Sequence, residues 1–117
     1  MSLPEKIDLS VFRNKQEFLL KTAKQIEKDF LSEGHRLKFS ENKISYSILH
    51  ELVLPIIENL LNTHPKKLQQ LIYRIDLPEK VFSDTLQKSL EPASELTQLI
   101  IQRELLKVVI RNHYTNK

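Results

Sequence analysis

The chain has 117 residues, 40% hydrophobic and 28% charged, which suits one domain with a packed core and is too apolar for disorder. Its single glycine, Gly34, excludes sandwiches, barrels and glycine-rich phosphate loops, which need glycine wherever the backbone turns tightly, but it allows an all-α fold. Cysteine is absent, which removes disulfide and thiolate chemistry, and the net charge of +3 is spread too evenly to mark a nucleic-acid face.

The expected organisation is a single helical domain, residues 1–117, with 1–8 as a flexible N-terminal tail. The first ten residues lack the apolar centre of a signal peptide. The longest nearly uncharged run, 52–61, contains Pro55 and Glu58, so no membrane span is expected. A cytoplasmic protein is the corresponding expectation.

The first helix is expected to begin between residues 8 and 14. Asp8 or Ser10 can cap it, and Asn14 with Glu17 forms an alternative capping box. Phe12, Leu19, Ala23, Ile26 and Phe30 fall on one stripe, which favours the earlier start. Gly34 should stop the helix, and residues 35–39 then cross to the next one in extended form, anchored by Leu37 and Phe39. Lys21, Lys24 and Lys28 make a basic row opposite much of the stripe, with Glu17 placed four residues before Lys21 to pair with it. A solvated face is the plain reading of this row; an anion-binding face is the functional one.

The second helix is expected after Ser40, running to about residue 62, with a broad apolar arc from Tyr46 to Leu61. Pro55 lies in the thin polar strip with Glu51 and Glu58, where freed carbonyls can bond water. One kinked helix is therefore expected, with a break at Leu54 as the alternative. His50 points into the apolar arc and reads as a core histidine. The pair His50-Glu51 does not open a zinc-protease motif, because the second histidine position is Leu54. The four histidines have no metal-ligand spacing, so neither a metal nor a cofactor is expected.

Pro65 opens a third helix over 65–75 that buries Leu68, Leu71, Ile72 and Ile75. Asp76, with Pro78 and Glu79, reads as the start of a fourth helix that packs Val81, Phe82, Leu86 and Leu90. The third and fourth helices imitate a helix-turn-helix, but Glu79 and Asp84 stand beside Lys80 and Lys88 where phosphates would lie.

The last helix, 92–114, carries two apolar stripes. The longer runs Leu96, Leu99, Arg103, Leu106, Ile110, His113 and is expected to face the core. The shorter, Ile101, Leu105, Val108, lies roughly 180° away at ~100° per residue. A helix apolar on two sides is wrapped by its own domain or shared with another chain. Arg103 interrupts the longer stripe and needs a carboxylate or carbonyls if buried. Glu104, Lys107 and Arg111 read as an ordinary solvated row.

No serine sits in a glycine elbow, and the carboxylates of Glu51 and Glu58 share a solvent strip rather than a cleft. The expectation is an irregular all-α bundle of about five helices that is not an enzyme. It is expected to act through protein–protein contacts or self-association as a homodimer. Its interaction candidates are Arg103, Ile101, Leu105, Val108, Lys21, Lys24 and Lys28. The alternative is a nucleic-acid-associated accessory protein that uses the weak basic face.

Overall fold

The computed structural model describes residues 8–40 and 42–115. Of the expected tail, 1–8, all but Asp8 lies outside the described residues. The described residues form a 3-10 turn, Leu9–Val11, followed by helices α1 (Gln16–Ser32), α2 (Tyr46–Thr63), α3 (Pro65–Ile75), α4 (Glu79–Lys88) and α5 (Pro92–Thr115). No strand occurs among them. The fold is the all-α bundle that the recurrent helical periodicity implies, with α5 in contact with all four other helices and with the 3-10 turn.

Helix α1 starts later than its apolar stripe suggests. Asp8 caps the 3-10 turn by accepting from the Ser10 amide, and the chain then bends before Gln16 begins the helix. Phe12 therefore belongs to the turn and not to the helical stripe. At the other end, the His35 amide donates to the Phe30 carbonyl across Gly34, whose φ of 85° is the left-handed conformation that glycine adopts without penalty. The crossing segment is held by a hydrogen bond of 2.7 Å from the Phe39 amide to Glu27 Oε2.

Helix α2 begins at Tyr46 because Ser45 supplies its cap, its hydroxyl accepting from the Ile48 amide. Pro55 lies inside one continuous helix and faces outward. Helix α3 has the expected bounds and buried residues. Asp76, however, closes α3 instead of opening α4. It adopts a φ of 69° and its amide donates to the carbonyls of Ile72 and Tyr73, while Pro78 precedes the first turn of α4. Helix α4 buries Phe82 and Thr85. It ends at Lys88, which leaves Leu90 in the connection and 99% exposed, contrary to the expected packing.

The last helix is oriented differently from its apolar pattern. Leu96 is buried, but Leu99, Arg103, Leu106 and Ile110 of the longer stripe are only half-buried and His113 is exposed. The centre of the buried face is instead Thr97, Ile101, Glu104, Val108, with spacings of four, three and four, flanked by Ile100 and Leu105. The shorter stripe is thus the better covered one. Ile101 joins the main core of α1, α2, α3, α4 and α5 residues. Leu105, Val108 and Val109 form a second cluster with Phe18, against which Leu9 and Phe12 pack. The Phe12 and Phe18 rings meet edge-on at 4.7 Å between centroids. The bend before α1 lets the N-terminal turn fold across α5, and this supplies the cover that four helices alone would lack.

Leu105→Ala should therefore cost about 2–5 kcal/mol in equilibrium denaturation, as expected for a filled core position. Leu90→Ala should change stability by less than about 0.5 kcal/mol. A Leu105 variant with unchanged stability would mean that the second cluster does not form in solution.

Candidate functional site

Helices α1 and α5 bury polar side chains against each other. On α1, Thr22, Gln25 and Asp29 recur at spacings of three and four and are all buried; on α5, Thr97 and Glu104 lie at the centre of the inward face. The threonines satisfy themselves locally. Thr22 Oγ1 donates to the Phe18 carbonyl at 2.7 Å and Thr97 Oγ1 to the Ala93 carbonyl at 2.8 Å. The remaining groups form one connected cluster. Lys107 Nζ lies 2.7 Å from Asp29 Oδ2 and 2.8 Å from Glu104 Oε1. Gln25 Nε2 donates to both Asp29 oxygens at 3.1 Å, and Gln25 Oε1 accepts from Arg111 Nη2 at 3.0 Å.

One ammonium between two carboxylates leaves an excess negative charge inside the protein, which low-dielectric surroundings penalise heavily. Glu104 is fully buried, with Lys107 Nζ as its close cation. Burial pushes Glu104 up to about 8; the neighbouring Asp29 carboxylate adds to the push and Lys107 opposes it. For Asp29, burial raises the carboxyl, but bonds from Glu104, Lys107 and Gln25 outweigh it and hold Asp29 below the ordinary range. The stable neutral-pH state follows: Glu104 keeps its proton and donates it to the Asp29 carboxylate, which Lys107 neutralises. Asp29, Lys107 and Glu104 together then carry no net charge.

Above this cluster lies an open groove of about 600 Å³ between α1 and α5. Lys21, Lys24 and Lys28 line it from α1 and Arg111 lines it from α5. Its floor includes Gln25, Val108 and Asn112, and Glu17 lies at its edge. The expected Glu17–Lys21 pair is present at 3.5 Å with both side chains exposed. The structure thus brings the basic row of α1 together with Arg111, a residue whose place in a solvated row gave no hint of a shared groove. Glu104 and Lys107, read from sequence as part of that same row, are buried and half-buried respectively, which corrects that reading. The signal that marks Glu104 is its place between Ile101 and Val108 on the four-three-four stripe, masked because its residue type is polar.

The other sequence candidates lie elsewhere. Arg103 Nη2 bonds Asp76 Oδ2 at 2.9 Å and ties α5 to the end of α3. Ile101 and Leu105 are packed inside the chain, and Val108, almost fully buried, reaches the surface only at the groove. His50 is half-buried, not a core residue, and stands 3.5 Å from Ser94 Oγ. Among the described residues no group of His, Asp or Glu is arranged to hold a metal ion, and no helix is long and apolar enough to cross a membrane. No protein-family model, curated protein or solved structure matches the chain.

The raised Glu104 carboxyl makes stability depend on pH with a definite sign. An unfolded glutamate loses its proton near 4.5, whereas the folded one keeps it up to about 8, so the native state binds more protons between these values. Stability must therefore fall as pH rises through that window, by up to about 1.4 kcal/mol per pH unit. Burial keeps His35 below its usual 6.5, so it does not interfere above that pH. The melting temperature should drop from pH 6.5 to 8, and Glu104→Gln should abolish most of the drop while raising stability at pH 8. A wild-type melting temperature that is flat over this range would show that Glu104 is not held protonated.

Proposed function

We propose that this is a non-catalytic docking protein whose α1/α5 groove receives an acidic segment of a partner protein. The observation that supports the reading most directly is the convergence of Lys21, Lys24, Lys28 and Arg111 on one groove. The first and last of the three lysines lie seven residues apart on the helix, about 10 Å at ~1.5 Å per residue, which matches a short run of carboxylates better than an extended phosphate backbone. The floor adds the amides of Gln25 and Asn112 and the apolar Val108, which suit a peptide's main chain and side chains. Among the described residues, no aromatic ring lines the groove to stack a base. Self-association loses its strongest argument, because the second stripe of α5 is already covered within the chain.

A basic groove of this kind governs encounter and selectivity, and its contribution is screened by salt. An octaglutamate peptide should bind the wild type, and the Lys21→Gln/Lys24→Gln/Lys28→Gln variant should bind it roughly tenfold more weakly or worse while folding normally, since exposed charges contribute little to stability. Duplex DNA should bind only at ~10⁻⁴ M or weaker at physiological salt. Titrations by fluorescence anisotropy decide between the readings. Sub-micromolar DNA binding that collapses in the triple variant would replace the protein partner with a nucleic acid.

A further inference from the structure

We propose that the groove and the buried carboxyl pair form one proton-linked unit, in which an acidic segment seated beside Arg111 strengthens the hold of Glu104 on its proton. The proposal rests on the docking reading for its ligand but on independent geometry for its linkage. That geometry is an unbroken chain of contacts from the groove surface to the centre of the bundle. Arg111 Nη2 donates to Gln25 Oε1 at 3.0 Å; Gln25 Nε2 donates to both oxygens of Asp29 at 3.1 Å; Lys107 Nζ joins Asp29 to Glu104 at 2.7 and 2.8 Å. Gln25 is both a floor residue of the groove and a direct partner of the buried Asp29.

The chain has a built-in asymmetry. Two carboxyl groups, one of them fully buried, share one ammonium, so a single proton decides whether these three groups are together neutral or negative. The charged groups acting on Glu104 are Asp29 from α1 and Lys107 from its own helix. The residues that α2 and α3 bury are all apolar, and α4 buries only Phe82 and Thr85, so none of these helices sends a second buried acid or base toward it. On α5 itself the adjacent Arg103 is engaged with Asp76. Arg111, joined to Asp29 through Gln25, adds a positive field on this side of the cluster, which favours the ionised form. An anionic ligand cancels part of that field, which makes the bare Glu104 carboxylate still less favourable and the protonated form more so. By reciprocity, the ligand binds more tightly where Glu104 holds its proton.

The test is carboxyl-carbon NMR of protein labelled at glutamate, with Glu104 assigned from the Glu104→Gln variant. In the unliganded protein the Glu104 signal should titrate near pH 8, far from the other glutamates. Two perturbations should move its midpoint upward: saturation with octaglutamate, and the Arg111→Gln substitution without any ligand. Octaglutamate affinity should also fall roughly five-fold from pH 7 to pH 9 in the wild type, and Glu104→Gln should lose most of that dependence. If octaglutamate binds but neither perturbation moves Glu104, the linkage is wrong and the docking reading stands. If Arg111→Gln moves Glu104 and octaglutamate does not bind, the linkage within the chain is supported and the docking reading falls. A Glu104 signal that titrates with the ordinary carboxylates overturns the proposal outright.

Discussion

Helix α5 has to be covered around most of its circumference, and the placement of every other element follows from that requirement. Its inward side chains are so numerous that no single neighbour reaches them all. Helices α1 and α2 take the largest share, α3 and α4 close the rest of the main core, and the 3-10 turn covers the residual flank at Leu105, Val108 and Val109. The bend before Gln16 is what makes the last of these possible. A first helix that continued back through Phe12 would carry that ring away along its own axis and leave α5 open to water.

Placing Glu104 at the centre of this contact is costly, and the structure offsets the cost in two ways. Lys107 and Asp29 provide charge balance, and the proton on Glu104 removes the excess negative charge that the balance leaves. Replacing such groups with apolar ones is often stabilising in proteins, so stability alone does not account for their presence here. What the polar cluster does provide is direction. The register of α1 against α5 that joins Asp29 to Lys107 and Gln25 to Arg111 is also the one that assembles the basic groove.

The groove and the core are therefore not separate features. The same stretch of α1 supplies Lys21, Lys24 and Lys28 outward and Thr22, Gln25 and Asp29 inward. Gln25 belongs to both sets, reaching Asp29 below and Arg111 at the rim. Electrostatic influence between surface and interior needs no moving part in such an arrangement. It needs only short contacts in a medium that screens poorly.

Local chemistry in the sequence determined much of the fold. Pro65 opening α3, Gly34 ending the first helical segment and the absence of other glycines fixed the all-α class and several boundaries, because these residues restrict backbone angles whatever surrounds them. Lys21, Lys24 and Lys28 were legible as one row, since three- and four-residue spacing alone places side chains on one face. What the sequence could not decide was which face of α5 turns inward, because apolar residues occur on several of its sides and no single period dominates. Two acids within one helical turn of lysines, Glu104 and Asp29, look like surface residues until a second helix is laid against them. Only the tertiary structure decided that Glu104 is buried, that Asp76 ends a helix instead of starting one, and that Arg111 faces the lysine row. The burial of Glu104 and the placing of Arg111 depend on residues distant in the chain, whereas Asp76 closes α3 through its own left-handed backbone and the bonds of its amide to Ile72 and Tyr73.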